Sequence, residues 1–327
     1  MLAEHLDPRI GTKEVESTPN RLGYGEGLLK VGTRDERVVA LSADLTESTR
    51  THEFAEAFPQ RFIQCGVAEQ NMASVASGMA AMGKIPFIAS YAMFSPGRNW
   101  EQIRTTIAYN NANVKIIGAH AGVSVGPDGA THQAIEDIAI MRVIPNMVVI
   151  APCDIHEARK AVLAAAQYEG PVYIRIARSP SPVVTTPESP FTIGKAEYFY
   201  QAPTTPDNTI GIVVTGTLVH HALIAAKNLN AKGVGVELLH MPTIKPLDTE
   251  ALSDLAGRCA GLVTVEEHQQ AGGLGSAVAE YLSATTPTKI VPVGVKDAFG
   301  QSGDPEELIA HYKLDEAAIE AAVEQIL

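Results

Sequence analysis

The sequence predicts an α/β protein built as two consecutive parallel-sheet domains, and three observations carry that expectation. Short β-branched runs alternate with helix-length segments, the strand candidates are unbroken apolar runs, and the alternation halts in a proline-rich stretch before it restarts. An unbroken apolar strand buries both of its faces, as strands do in a parallel sheet covered by helices on either side.

In chain order the first strand candidates are "RVVALSA" (37–43), "RFIQCG" (61–66), "IPFIAS" (85–90), "VKIIGAH" (114–120), "MVVIAP" (147–152) and "PVYIRI" (171–176). Helix-length segments fall between most of them, at 68–82, 99–111, 133–143 and 154–168. The last opens on Asp154, a good N-cap, and its apolar residues recur near the helical period. Prolines at 180, 182, 187, 190, 203 and 206 then break the rhythm around "GKAEYFYQ" (194–201), which reads as a linker with an edge hairpin. Beyond it the strands "IGIVVTG", "VGVELLH", "GLVTVEEH" and "KIVPVGV" alternate with helices from Leu218, near 248–258, from Gly273 and over "DEAAIEAAVEQI". The expected division is a first domain at 1–185, a linker at 186–208 and a smaller second domain at 209–327.

Composition narrows the function. A chain of 327 residues, 46% hydrophobic, can bury a sizeable core. Its formal charge is −12 and its basic residues are scattered, so nucleic acid is a poor partner. Cys65, Cys153 and Cys259 have none of the spacings of zinc or redox motifs and read as buried thiols in a reducing compartment. There is no apolar segment behind a basic N-terminus and no run of about 18 apolar residues, so the expected location is cytoplasmic. No repeat of about 20–50 residues points to a solenoid.

The residues able to carry chemistry sit where predicted strands end, the place where open α/β sheets collect ligands. Glu69 starts the helix of "CGVAEQNMASVASGMAAMG" (65–83). A carboxylate there is explained by the helix dipole alone, but the small apolar residues behind it imply burial, and a buried carboxylate is expensive without a task. Tyr91 and Phe94, with Arg98 after them, are either ordinary core or the wall of a pocket for a flat ring. "HAGVSVGPDGATHQAIED" (120–137) concentrates His120, Asp128 and His132 in a glycine-rich loop, consistent with proton handling, while Thr131 reads as a helix cap. Arg21, Ser48 and Arg178 are singly surface residues and jointly a clamp for a phosphate. "GGLGSAVAEYL" lacks a full dinucleotide fingerprint and reads as packing.

At "GVAEQNM", "SYAMF", "VGPDGATHQAIED", "RVIPNMVVIAP" and "VEEHQQAGGLGSAVAE" the chain resembles the transketolase family of thiamine diphosphate enzymes, over its pyrimidine-binding and C-terminal domains. No "GDG" occurs, although full-length members hold the cofactor diphosphate and a divalent metal through a G-D-G…N motif. The resemblance therefore implies the C-terminal half of a split transketolase. A partner chain would bind Mg2+ or Ca2+ and the diphosphate, in an α2β2 heterotetramer that transfers a two-carbon ketol unit between sugar phosphates. No metal ligand is assigned to this chain. By the same resemblance Glu69 meets the aminopyrimidine ring nitrogen and Tyr91 and Phe94 stack on the ring. Asp44 lies near the cofactor across the dimer interface. A third aromatic common in the family falls at Gly97, leaving Arg98 as a cofactor-binding candidate. His132 and His120 would face the donor ketose, Asp128 a sugar hydroxyl, and Arg21, Ser48 and Arg178 the sugar phosphate. The resemblance extends to 1-deoxyxylulose-5-phosphate synthase and to 2-oxoacid dehydrogenase beta subunits, and a catalytically silent scaffold is the alternative of another class.

Overall fold

The computed structural model describes residues 1–202 and 209–327; the prolines at 203 and 206 of the expected linker lie outside the described residues. Its strands, in chain order, are β1 (Ser17–Pro19), β2 (Val38–Ser42), β3 (Phe62–Gln64), β4 (Ile85–Tyr91), β5 (Lys115–Ala119), β6 (Val148–Ile150) and β7 (Val172–Arg175). They continue with β8 (Pro180–Pro182), β9 (Glu197–Tyr200), β10 (Ile210–Val214), β11 (Val236–His240), β12 (Thr243–Lys245), β13 (Gly261–Gln269) and β14 (Ile290–Val295). One sheet has the order β12-β6-β7-β5-β4-β2-β3 and a second has β14-β13-β10-β11-β9. Both are parallel apart from one antiparallel edge strand each, β12 on β6 and β9 on β11. The central strands β2, β5 and β10 are buried along their whole length, as their unbroken apolar sequences require.

Three features differ from the expected division. The stretch "GKAEYFYQ" forms no hairpin: β9 caps the second sheet, and Leu2 bridges Tyr200 on its open side. Leu6 and Ile10, assigned by sequence to the first domain, pack in the second core. In the other direction β12, from the second half of the chain, extends the first sheet. One apolar cluster runs from Val39, Leu41 and Ile116 of the first sheet through Met241 to Leu255 and Leu262 of the second half. The halves thus fold against each other rather than as beads on a linker. A buried hydrogen bond lies at their junction, between His240 Nε2 and Glu157 Oε2 at 2.9 Å.

Asp154 caps its helix as expected, accepting the Glu157 N–H at 2.9 Å. The helix Asn20–Arg34, absent from the sequence-based elements because four glycines obscure its pattern, packs tightly on Ile155–Gln167. Glycine is what permits the approach: a Cβ on Gly23 would lie 2.1 Å from the Ile155 carbonyl oxygen. The expected helix over 133–143 is shorter, running only from Asp137 to Arg142.

Candidate active site

The carboxyl ends of β2, β4, β5 and β7 place the predicted residues on one edge of the first sheet. Tyr91 ends β4 and pairs in register with Ala119, the last residue of β5, so His120 follows directly beside it. The Tyr91 and His120 rings stack with centroids 4.0 Å apart. Phe94 stacks on Tyr91 at 6.3 Å, and His132 meets Phe94 edge-on at 5.5 Å. Four aromatic rings of the sequence candidates therefore form one surface.

Glu69 opens the helix Glu69–Ala81 and is only 1% exposed. Its Oε2 accepts from Arg98 Nη1 at 2.7 Å, and the Arg98 guanidinium lies over the Phe94 ring, 4.8 Å from its centroid. Asn99, which sequence reasoning missed, is wholly buried and donates through Nδ2 to the Glu69 carbonyl at 3.1 Å. It lies five residues beyond the "SYAMF" motif and next to Arg98, and that proximity was the available signal. The helix itself is not buried all round. Met72, Ala73 and Ala76 face the core, whereas Val75 and the flanking Val67 and Met82 are exposed.

The loop after β5 is seated by the second half of the chain. Ser124 N–H donates to Glu267 Oε1 at 2.6 Å, and a Cβ on Gly122 would lie 2.3 Å from that same oxygen. Beneath it Arg175 pairs with Asp137 at 2.9 Å and donates to the Glu267 carbonyl at 2.8 Å. These residues hold the loop and were not legible as site residues. Thr131 does not cap a helix; its hydroxyl bonds His132 Nδ1 at 3.0 Å. The glycine-rich turn of "GGLGSAVAEYL" is also filled internally, since Leu274 and Gly275 N–H groups donate to the buried Glu266 carboxylate at 2.7 and 2.8 Å.

His120 is 1% exposed, holds a left-handed φ of 55°, and its Nδ1 is buried without a hydrogen-bond partner. Burial, then the charges of Arg21, Arg178 and His132, push its pKa down to about 3. The imidazole is therefore neutral across the working pH range. Because the folded pKa lies below the ordinary one of about 6.5, the unfolded chain binds this proton first as pH falls. Stability is full above about pH 6.5 and declines toward pH 3, by on the order of 2–3 kcal/mol at pH 4.5. Urea unfolding of the wild type should lose that increment between pH 7 and 4.5, and His120→Asn should lose correspondingly less; equal losses would contradict the assignment.

Arg21 and Arg178 approach the same ring surface. Arg21 Nη1 donates to the Ser48 carbonyl at 2.9 Å, so Ser48 contributes its backbone rather than its hydroxyl to this contact. Arg178 Nη1 donates to the Val125 carbonyl at 3.0 Å. Asp128 is exposed at the end of the turn Val123–Asp128, and Asp44 is exposed with a φ of 61°, its N–H bonded to Gln64 Oε1 at 2.8 Å. Neither carboxylate is drawn into the ring cluster. Cys153 is buried, whereas Cys65 and Cys259 are only half-buried; all three are free thiols.

Comparison with known proteins agrees with this arrangement. Residues 17–182 match the transketolase pyrimidine-binding domain and residues 202–319 the transketolase C-terminal domain. The chain is 44% identical over 302 residues to a putative transketolase C-terminal section of Methanocaldococcus jannaschii, covering 91% of this chain and 93% of that one. It is 38% identical to a 6-deoxy-6-sulfo-D-fructose transketolase subunit of a Clostridium species, covering 93% and 92%. To one subunit of an apulose-4-phosphate transketolase of Phocaeicola vulgatus it is 36% identical, covering 91% and 94%. A solved split-gene transketolase, described as an inactive beta4 tetramer, superposes with a TM-score of 0.85 at 42% identity, over 95% of this chain and 99% of that one. The matched domains, the relatives' nearly equal lengths and the shared fold together establish that the chain belongs to the transketolase family, as a C-terminal section made of the pyrimidine-binding and C-terminal domains.

Proposed function

We propose that this chain is one subunit of a split, thiamine diphosphate-dependent transketolase that transfers a two-carbon ketol unit from a ketose phosphate to an aldose phosphate. The observation that carries the reading is the arrangement of Arg98. A planar cation lies over the Phe94 ring while donating to the buried Glu69 carboxylate at 2.7 Å. A protonated aminopyrimidine ring needs those same two contacts, so the residues present fit that half of the cofactor. When bound, the cofactor supplies the carbanion chemistry that C–C cleavage requires.

The protein's own residues divide the remaining work. Glu69 holds and moves a proton at the pyrimidine nitrogen, Tyr91 and Phe94 stack on the ring, and Arg98 yields Glu69 to it. Neutral His120, with His132, faces the sugar hydroxyls, where it can accept a proton or a hydrogen bond. Asp128 orients a sugar hydroxyl, and Asp44 serves the cofactor bound at a neighbouring subunit. Arg21, Arg178 and the Ser48 turn hold the anionic end of the substrate. Two relatives are named for sugars with such an end, a sulfonate in one and a phosphate in the other.

The cofactor diphosphate and Mg2+ or Ca2+ fall to a partner subunit carrying the G-D-G…N motif absent from this sequence. Exposed Val67, Val75 and Met82 along the Glu69 helix offer an apolar face for assembly, which supports self-association toward an α2β2 heterotetramer. A cytoplasmic place in pentose phosphate metabolism follows from the same reading. No helix among the described residues is long and apolar enough to cross a membrane. The test is reconstitution with such a partner, thiamine diphosphate and magnesium, comparing xylulose 5-phosphate with pyruvate as donor. Ketol transfer from the sugar supports the reading, and turnover of pyruvate alone would move the chain to the synthase or oxoacid alternatives.

A further inference from the structure

The junction of the two halves holds a cluster of donor side chains to which ketol transfer gives no task. Cys153 precedes the helix Ile155–Gln167, Glu157 lies in the first turn of that helix, and His240 ends β11 of the second sheet. Their donor atoms all lie within 4.8 Å of one another, and among the described residues no other three His, Cys, Asp or Glu side chains gather in this way. All three are buried, at 1%, 3% and 0% exposure, and the Phe199 ring covers the imidazole with its centroid 4.6 Å away. No sequence spacing announces the cluster, because His240 stands 83 residues beyond Glu157.

Hydrogen bonding aims the donors at one point. His240 Nδ1 lies 3.3 Å from the Val214 carbonyl oxygen. A carbonyl only accepts, so Nδ1 carries a proton there and Nε2 is left to face Glu157. Both oxygens of Glu157 meet that nitrogen, Oε1 at 3.0 Å and Oε2 at 2.9 Å. Lone pairs this close need a cation between them, and the Cys153 sulfur brings a third donor within the same 4.8 Å. A proton links only one such pair, whereas a divalent metal links all of them. The loop is held in place for this: Cys153 N–H donates to Glu157 Oε2 at 2.7 Å, and Asp154 accepts the Val184 N–H at 2.9 Å.

We propose that Cys153, Glu157 and His240 form a zinc site that staples the pyrimidine-binding half of the chain to the C-terminal half. Thiolate, imidazole and a bidentate carboxylate make up the four donors that a structural zinc takes, and sulfur with nitrogen selects zinc over Mg2+ or Ca2+. Bonds of about 2.3 Å to sulfur and about 2.0–2.1 Å to nitrogen and oxygen set the donors roughly 3.3–3.6 Å apart, so His240 and Glu157 separate by a few tenths of an ångström. Charge balances, because zinc enters as the thiol proton and the proton shared by His240 and Glu157 leave to solvent. The protein fills every coordination position, so the metal is structural, and the site stands whether or not the enzyme transfers ketol units.

The test uses the untagged full chain, produced in medium supplied with zinc or with cobalt so that metal enters as the chain folds. About one zinc per chain should survive gel filtration, and the cobalt form should show a thiolate-to-cobalt charge-transfer band. Cys153→Ser should abolish that band, whereas Cys65→Ser and Cys259→Ser should keep it. Cys153→Ser and His240→Asn should each lower zinc affinity by more than the about 10–100-fold that loss of a supporting outer partner costs. Zinc should raise the melting temperature of the wild type and leave that of Cys153→Ser unmoved, a contrast that destabilisation alone would not produce. A wild-type chain without zinc, a band that survives Cys153→Ser, or equal zinc-dependent shifts in the two proteins would overturn the proposal.

Discussion

Glu69→Gln in the reconstituted enzyme should lower kcat by roughly 10²–10⁴-fold, the usual worth of a positioned proton-transfer group. The side chain keeps its size and can still accept from Arg98, so the packing of a residue 1% exposed is preserved while the proton it would hold is lost. Folding should barely change. Arg98 is 47% exposed and can turn to water, which limits the lost ion pair to about 1 kcal/mol or less. A rate defect without a stability defect separates a chemical role from the structural one that a helix N-terminal carboxylate could otherwise fill. Full activity in Glu69→Gln would remove the proton-handling assignment.

Gly23→Ala should be among the most damaging small substitutions in the fold. The added Cβ would meet the Ile155 carbonyl oxygen at 2.1 Å, its carbon at 2.9 Å and the Arg159 nitrogen at 3.1 Å, all backbone atoms of the facing helix. Backbone cannot rotate aside as a side chain would, so the two helices must part. Forced overpacking of this kind typically costs about 1–3 kcal/mol, and a clash with backbone falls at the upper end of that range. Arg21 lies on the same helix and would move with it, so phosphate affinity should fall too. Gly78 is the control, because nothing lies within 4 Å of the place its Cβ would take, and Gly78→Ala should gain about 0.5–1 kcal/mol in helix stability. Urea midpoints that moved equally for the two variants would contradict the packing account.

These expectations mark where the sequence could be read and where it could not. Strands with unbroken apolar runs, such as β2 and β10, announced parallel sheets because nothing else buries both faces of a strand. Glu69, Tyr91, Phe94, His120 and His132 were visible because each falls at a strand end inside a recognisable motif. The edge strand β12 was not, since three residues paired antiparallel to a distant strand carry no period of their own. The Glu69 helix misled by composition, because small apolar residues look the same whether they face a chain's own core or its exposed surface.

The central claim, that this chain holds the pyrimidine half of a divided active site, is tested most directly by measuring ketol transfer from xylulose 5-phosphate with thiamine diphosphate and magnesium present throughout. The chain alone should be inactive, and titrating in a partner that carries the diphosphate and metal motif should restore turnover up to a fixed subunit ratio. Turnover by the isolated chain, or none at any ratio of a partner that itself binds the diphosphate, would contradict it.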